Sequence, residues 1–243
     1  MKQSLSLLIP AYNEEKLLES SVDYYYQYLK KLKQIESFEI IICVNGSTDN
    51  TERIAKRLSQ KHKEVTYLVT KNKGIGGALT LGMKAATKNI ITYMPGDGEI
   101  EANFIEHALV LMDHCDFVSG SRKMAGAYEG KDFLRKMLSH GFNLVLTLLL
   151  SKQAAEAASV KMFRKEWAKR VAPHFENEGF EWQVEILYFA LCDRLKICFA
   201  PSKTLKKREL TESSVQPFKT AYRLLKVCLN YGLKYRLKQL FQT

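Results

Sequence analysis

The 243-residue sequence has the length of one large domain, and its 46% of apolar residues can build a sizeable core. The five cysteines are odd in number, scattered, and never spaced as C-x-x-C, so we expect reduced thiols and neither a zinc site nor a disulfide framework. No apolar run reaches the roughly 20 residues that span a bilayer, and the first residues carry too short an apolar stretch for a signal peptide. We therefore predict a cytoplasmic protein without a transmembrane segment.

The net charge of +11 is concentrated in one part of the chain. Ten of the 37 Lys and Arg residues, but two of the 26 Asp and Glu residues, lie from Lys203 onward. The main body is thus near neutral and the tail is basic. Such a tail suits an anionic surface, either a membrane or a nucleic acid.

The first 120 residues alternate β-branched runs with helical patterns. The predicted strands lie at 4–10, 38–44, 65–70, 89–94 and 116–120, and the predicted helices at 14–33, 49–62, 76–87 and 102–113. Strands separated by helices of ten or more residues predict an α/β fold with a mostly parallel sheet flanked by helices. Ligands of such sheets bind beyond the carboxyl ends of the strands. Five loops should therefore share one edge: PAYNEE, NGSTDN, KNKGIGG, PGDGEIE and GSRKMAG.

The second half predicts helices at 132–151, 179–194 and 218–241, with a strand at 196–201. The last helix is amphipathic, and Gly232 could break it in two. Its basic face carries Lys219, Arg223, Lys226, Lys234 and Lys238. Its apolar face carries Phe218, Tyr222, Leu225, Leu229, Leu233 and Leu240.

Each loop taken alone has two interpretations. The second loop offers Ser47 or Asp49 as a helix cap whose helix N-terminus favours an anion, or it is an ordinary turn. The glycines of KNKGIGG let the backbone approach a ligand or simply turn, and their spacing is neither that of a Rossmann loop nor that of a P-loop. The acids of PGDGEIE could hold a metal ion or form a solvated turn.

In order and spacing, the five loops resemble those of glycosyltransferase family 2, whose members have the GT-A fold. The likeness is strong from residue 4 to about 125 and looser through VKMFRKEW and FEWQVEIL, and it favours the branch of dolichyl-phosphate mannose synthases and polyprenyl-phosphate glycosyltransferases. It implies a nucleotide-sugar-binding half at 1–125, an acceptor-side half of the same domain at 126–216, and a basic amphipathic helical tail at 217–243. It also implies inverting, metal-dependent transfer of a sugar from a nucleotide-diphosphate donor to a polyprenyl phosphate or another glycan or membrane-borne acceptor.

The resemblance assigns roles to individual residues. Asp97 would face the diphosphate and a Mg²⁺ or Mn²⁺ ion, with Glu99 as a second metal ligand, and Arg122 and Arg208 would neutralise phosphates. Glu181 or Glu185 would act on the acceptor side as a catalytic group. The residues bordering the nucleotide would be Pro10, Ala11, Tyr12, Glu14, Asn45, Gly46, Ser47 and Gly74.

Three stretches depart from the family pattern. Val44 and Asn45 stand where two aspartates are usual, and the D-x-D motif reads Pro95-Gly96-Asp97. Alanine or Glu156, followed by Ser159, replaces the usual aspartate and glycine before the Phe-Arg stretch. An active enzyme remains the favoured interpretation, since Mg²⁺ accepts water or phosphate in its shell and since Asp97 and Glu99 would point to one side of an extended segment. The alternative is a lapsed catalyst that binds a nucleotide sugar or acts as a scaffold.

The basic tail has two interpretations as well. An amphipathic helix with Lys and Arg beside an apolar face can lie on an anionic membrane, or it can pack on the domain with its lysines solvated. No nucleic-acid-binding module is recognisable in the sequence, so we predict a membrane partner and no nucleic acid.

Overall fold

A computed structural model describes residues 3–126, 144–151, 159–205 and 217–240, with side chains in the last helix from 223 to 238. The strands are β1 (Gln3–Ala11), β2 (Ile35–Asn45), β3 (Val65–Thr70), β4 (Ile90–Tyr93), β5 (Phe117–Ser121), β6 (Lys161–Arg164) and β7 (Ile197–Pro201). The helices are α1 (Leu18–Lys31), α2 (Thr51–Lys61), α3 (Ile75–Ala85), α4 (Asn103–Leu111), α5 (144–149), α6 (Lys165–Val171), α7 (Trp182–Cys192) and α8 (Pro217–Leu240).

The seven strands form one sheet in the order β3-β2-β1-β4-β6-β5-β7. Only β6 runs antiparallel to its neighbours, so the mostly parallel α/β sheet predicted from the sequence is confirmed. All six predicted strands are present. The short β6 and α6 are additions that the sequence patterns did not indicate.

The position of β1 at the centre of the sheet explains why its second half, residues 7–11, is continuously apolar. Strand β1 lies between β2 and β4, and Leu5, Leu7, Leu8 and Ile9 are fully buried. A strand covered on both faces has no polar side to alternate with. The register pairs Ala11 with Val44 at the ends of β1 and β2, which brings the loops that follow these two strands together.

The helix α8 is continuous through Gly232, so the predicted break is wrong. A Cβ atom at this glycine would lie 2.7 Å from Cβ of Leu149 in α5. Gly232 therefore allows two helices to approach closely. The helix packs on the body through Leu224, Cys228 and Tyr231.

One prediction about the cysteines is also wrong. Cys115, in the turn after α4, forms a disulfide with Cys198 in β7, and the two Cα atoms are 6.1 Å apart. The two residues are 83 positions apart and meet because β5 pairs with β7, a proximity that sequence spacing cannot show. Cys43, Cys192 and Cys228 are free thiols. No helix in the described ranges is long and apolar enough to cross a membrane.

Candidate active site

The loops after β1 and β2 are joined into one unit by hydrogen bonds. The Asn13 N–H donates to Ser47 Oγ (3.1 Å), and Asn13 Oδ1 accepts from the Thr48 N–H (2.8 Å). Next to them, the Glu14 N–H donates to Thr51 Oγ1 (2.8 Å). Asn13 has a φ of 53°, a left-handed conformation that asparagine tolerates better than most residues. The predicted meeting of these two loops is thus built from side chains as well as from strand register.

Asp49 accepts a backbone hydrogen bond at the start of α2. Its carboxylate accepts hydrogen bonds from the backbone N–H groups of Thr51 (2.9 Å) and Glu15 (3.1 Å). Burial alone would raise the pKa of Asp49, but the hydrogen bonds from Thr51 and Glu15 lower it overall. Asp49 therefore stays ionised beside the first two loops.

Asn45 shows why an amide can stand where the family usually has an aspartate. The residue is buried, and in the amide orientation that satisfies both groups Nδ2 donates to the Ala11 carbonyl (2.9 Å). In the same orientation Oδ1 accepts from the Gly74 N–H (3.3 Å). A carboxylate could not donate to that carbonyl. Asn45 thus ties the end of β1 to the glycine loop.

The glycine loop rests against the backbone of residues 177–178. A Cβ atom at Gly74 would lie 2.2 Å from the Glu178 carbonyl oxygen, and one at Gly76 would lie 2.5 Å from the Asn177 carbonyl oxygen. The Gly77 N–H donates to the Glu178 carbonyl (3.0 Å). Two of the three glycines therefore serve a close backbone contact.

Lys73 is a residue of this loop that the sequence analysis missed. Its ammonium group donates to Tyr12 Oη (2.9 Å) and lies 4.0 Å from the centroid of the Tyr12 ring. Such a cation–π contact fixes the ring orientation. The sequence signal that could have identified Lys73 is its position directly before the first glycine of the loop.

The acid loop after β4 is a turn, and the predicted extended segment is wrong. Gly98 has a φ of +67°, and its N–H donates to the Pro95 carbonyl (3.2 Å). Asp97 Oδ1 accepts from the Glu99 N–H (2.9 Å). The buried Tyr25 hydroxyl lies 3.4 Å from the Pro95 carbonyl and donates from below the turn. Asp97 and Glu99 are therefore arranged by a turn instead of by strand alternation.

The carboxyl of Glu14, in the first loop, interacts with acidic side chains of the second and fourth loops. Burial raises the pKa of its carboxyl to about 7, with further contributions from the negative charges of Asp97, Asp49 and Glu99. Its Oε2 atom is buried and has no hydrogen-bond partner. The sequence marked Glu14 as a nucleotide neighbour and gave no sign of this charge clustering.

These residues fit a divalent cation. An orphaned carboxylate oxygen and an excess of negative charge are both relieved by a hard cation such as Mg²⁺ or Mn²⁺. Within the described ranges, no group of three or more His, Cys, Asp or Glu residues is close enough to hold a metal ion by itself. Phosphate and water oxygens would thus complete the shell around Asp97, with Glu99 and Glu14 nearby.

The raised pKa of Glu14 gives a stability prediction for the metal-free protein. Between pH 4.5 and about 7 the folded state keeps a proton that the unfolded state loses, so unfolding free energy should fall as pH rises through this window. Glu14→Gln removes this loss. Between pH 4.5 and 8, we expect the free energy of unfolding of Glu14→Gln to rise by roughly 1 kcal/mol relative to that of the wild type, after discounting for solvent screening.

Urea denaturation at pH 5, 6, 7 and 8 measures the effect, with Glu15→Gln as a control for removing one charge from the same loop. Parallel pH curves for Glu14→Gln and the wild type would show that the Glu14 carboxyl does not titrate in this window.

A buried polar cluster lies beneath Arg122, where β4, β6 and α7 meet. Lys161 is fully buried and donates to the Ser159 carbonyl (2.8 Å) and to Gln183 Oε1 (2.6 Å), which also accepts from Tyr93 Oη (2.8 Å). Burial, with the charge of Arg122 adding to it, holds the pKa of Lys161 well below its usual range. Arg122 lies directly after β5, half-buried, at the edge that carries the loops. The other predicted phosphate ligand, Arg208, lies outside the described residues.

The two predicted acceptor-side acids have different surroundings. Glu181 is buried at the start of α7. Glu185 is fully buried, and its carboxylate accepts hydrogen bonds from the Glu176 N–H (2.8 Å) and from Tyr231 Oη (2.6 Å). Asn177 donates to it twice, from the backbone N–H (3.1 Å) and from Nδ2 (3.0 Å). These partners connect Glu185 to the support of the glycine loop, and a catalytic role for either acid stays a prediction.

A sequence model of glycosyl transferase family 2 matches residues 6–172, which include most of β1, the strands β2 to β6 and the five loops. The chain belongs to glycosyl transferase family 2. Curated relatives include the dolichyl-phosphate beta-glucosyltransferase of Dictyostelium discoideum, 29% identical over 248 residues that cover 96% of this chain and 75% of the relative. The human protein of the same name is 25% identical over 249 residues, covering 96% of this chain and 76% of the relative.

Solved structures confirm the GT-A fold expected from the resemblance. Glucosyl-3-phosphoglycerate synthase from Mycobacterium tuberculosis, in complex with UDP, superposes with a TM-score of 0.66 and 16% identity, covering 95% of this chain and 80% of that one. The same enzyme with Mn²⁺, UDP-glucose and phosphoglyceric acid gives a TM-score of 0.66 and 15% identity over the same shares. At this identity the likeness establishes the fold.

Proposed function

We propose that this family 2 glycosyltransferase moves glucose from a nucleoside-diphosphate donor, UDP-glucose first among them, to a polyprenyl phosphate. The observation that supports it most is the clustering of Glu14, Asp97 and Glu99 in the loops after β1 and β4, because a divalent cation would offset their negative charge. The dolichyl-phosphate beta-glucosyltransferase relatives suggest the sugar and the acceptor class. The solved structures with UDP and Mn²⁺ suggest the nucleotide and the metal.

In this mechanism the chain's residues position the donor and offset charge. A bound Mg²⁺ or Mn²⁺ would stabilise the negative charge that develops on the leaving diphosphate. Asp97 orients that side of the donor, and Arg122 adds a cation at the end of β5. Tyr12, fixed by Lys73, offers a ring face beside the nucleotide base. The acceptor phosphate then attacks from the opposite side of the sugar, which inverts its configuration.

A donor screen tests the nucleotide part of this proposal. UDP-, GDP-, CMP- and dTDP-sugars are compared by thermal shift with and without Mn²⁺. UDP-glucose at about 100 times its Kd should stabilise the protein by roughly 2.7 kcal/mol, and the shift should require the metal. Absence of any metal-dependent shift across the panel would contradict nucleotide-sugar binding.

The second candidate is a nucleotide-sugar-binding protein without turnover. Pro95 favours it, since the first acid of the usual motif is missing. This alternative predicts the same thermal shifts and no product with any donor. A measurement of product formation therefore separates the two.

We further propose that the protein is peripheral at the cytoplasmic face of a membrane and docks through α8 and α5. On α8 four leucines spaced four residues apart are 42–61% exposed, and on α5 two more are 59% and 62% exposed: Leu225, Leu229, Leu233, Leu237, Leu144 and Leu148. The Gly232 contact and a hydrogen bond from Arg236 to the Leu148 carbonyl (2.8 Å) hold the two helices together. We call these six residues the leucine ridge.

The apolar face predicted for α8 therefore points outward in its described part. Exposed basic residues flank the ridge: Arg223, Lys226, Lys234, Arg236 and Lys238. Exposed leucines beside lysines and arginines fit an anionic lipid surface, where apolar side chains enter the headgroup region and each basic residue adds about 1 kcal/mol.

Replacing Leu229 and Leu233 together by serine should weaken binding to anionic vesicles by at least about tenfold, because two large apolar side chains no longer enter the lipid. Cosedimentation with phosphatidylserine vesicles measures it. Val110→Ser, which changes a 57% exposed valine of α4, is the matched control and should bind like the wild type. Equal binding by the double-serine variant would remove the leucine ridge from the membrane contact.

A further inference from the structure

The carboxylate of Glu185 lies between the C-terminal helix and the support of the glycine loop. On one side it accepts from the hydroxyl of Tyr231, a buried residue of α8 (2.6 Å). On the other side it accepts from the backbone N–H groups of Glu176 (2.8 Å) and Asn177 (3.1 Å). Asn177 Nδ2 adds a further hydrogen bond (3.0 Å). One side chain thus joins two segments that are more than 50 residues apart.

The segment held by Glu185 continues directly into the wall of the glycine loop. The Asn177 carbonyl lies against Gly76, and the Glu178 carbonyl lies against Gly74 and accepts from the Gly77 N–H. The Glu178 carboxylate also accepts from Asn72 Nδ2 (2.9 Å). Gly74 in turn donates to Asn45. A continuous set of short contacts therefore runs from α8 to the glycine loop of the proposed nucleotide site.

A buried carboxylate that accepts four hydrogen bonds is effective at fixing backbone. Each hydrogen bond to a charged group contributes more than a neutral one, and an ionised group without its donors is costly to bury. The Tyr231 hydroxyl is one of these four donors. Burial and the charge of Glu185 raise the pKa of Tyr231, so the hydroxyl keeps its proton and donates a hydrogen bond to the carboxylate. Loss of that single donor weakens the hold of Glu185 on residues 176–177.

We infer that Glu185 and Tyr231 are positioning residues that hold the glycine loop of the nucleotide site against the C-terminal helix. The inference rests on the proposed function for the identity of the ligand and assigns Glu185 a role that acts through the loop. It also makes α8 part of the donor site: its outer face carries the leucine ridge, and its inner face is tied to the loop.

Tyr231→Phe tests this directly, because it removes the hydroxyl and keeps the ring that packs 4.6 Å from the Tyr188 ring. Tyr188→Phe is the matched control: it removes a neighbouring hydroxyl that is hydrogen-bonded to Cys192 and not to Glu185. Amide hydrogen exchange of the ligand-free protein is followed at residues 74–78, together with the melting temperature and the Kd for UDP with Mn²⁺. Glu185→Gln is the second variant, expected to act in the same direction.

In Tyr231→Phe we expect exchange at Gly77 to rise by roughly tenfold and the UDP Kd to rise by about three- to tenfold, with no such change in Tyr188→Phe. A lower melting temperature with unchanged exchange at residues 74–78 would mean that the hydroxyl only stabilises the fold, and it would overturn the inference. The exchange measurement needs no ligand. A wild type that fails to bind UDP would therefore count against the proposed function. The exchange data would still show whether Tyr231 and Glu185 hold the glycine loop.

Discussion

Asp97→Asn is expected to lower sugar transfer by about 10³-fold while leaving the melting temperature of the ligand-free protein close to that of the wild type. Metal-assisted stabilisation of a leaving diphosphate is worth several kcal/mol, and each 1.4 kcal/mol is a factor of ten in rate. Asparagine keeps the size and the carbonyl oxygen that accepts from the Glu99 N–H, so the turn after β4 should persist. Loss of charge without loss of shape is what separates this variant from a folding defect.

Glu101→Gln is the matched control, because it changes another acid of the same loop. Glu101 pairs with Lys203 (3.1 Å) and accepts from Asn103 Nδ2 (3.0 Å), a partly exposed arrangement of small energetic weight. Its transfer rate should stay within about twofold of the wild type. Steady-state rates for both variants over a Mn²⁺ titration give the answer. Equal rates for Asp97→Asn and Glu101→Gln would remove Asp97 from the metal site.

The second large effect is expected for Gly74→Ala. The new methyl group would lie 2.2 Å from the Glu178 carbonyl oxygen, a backbone atom that cannot move alone. Overpacking of this kind costs about 1–3 kcal/mol of stability. Here it would also displace the glycine loop of the proposed nucleotide site. We expect a lower melting temperature and at least tenfold weaker UDP binding.

Gly77→Ala provides the comparison within the same loop. A Cβ atom at Gly77 would lie 3.7 Å from its nearest neighbours, an ordinary contact. The residue lies in the first turn of α3, where alanine is favoured over glycine by up to about 1 kcal/mol. This variant should be as stable as the wild type or more stable, and it should bind UDP normally. If both alanines weakened UDP binding equally, the Glu178 contact would not be what fixes the loop.

The strand pattern could be predicted because a sheet covered on both faces needs continuous apolar runs. The second halves of β1 and β2 are such runs, and the register of the two strands dictates that the loops at their ends meet. β6 was not predicted because it has four residues and contains the buried Lys161, whose amine donates to the neighbouring Ser159 carbonyl and to the distant Gln183. A lysine in a short apolar run gives no sequence signal of burial.

The loops of the site could be located, but their internal geometry could not. Strand alternation suggested one arrangement of Asp97 and Glu99, whereas the left-handed Gly98 turns the chain between them. The pKa of Glu14 depends on acids that two other loops contribute, which only the folded chain brings together. Asn45 looked like a lost aspartate in the sequence, and the structure gives it a donor role toward Ala11.

The orientation of α8 shows the limit of periodicity. The helical pattern predicts an apolar and a basic face for α8, but it does not say which side of the helix faces the body. The packing face is set by Tyr231, which reaches Glu185, and by Gly232, which admits α5. Both contacts depend on partners 46 and 83 residues earlier in the chain.

The most direct test of the account is formation of a lipid-linked sugar by the full chain. The protein is incubated with radiolabelled UDP-glucose, Mn²⁺ and anionic vesicles that contain a polyprenyl phosphate, and label is counted in the organic extract. We expect metal-dependent transfer of label to the lipid by the wild type and about 10³-fold less by Asp97→Asn. Tight, metal-dependent binding of UDP-glucose without label in the lipid, for this donor and for the others in the panel, would contradict catalysis and leave a nucleotide-sugar-binding protein.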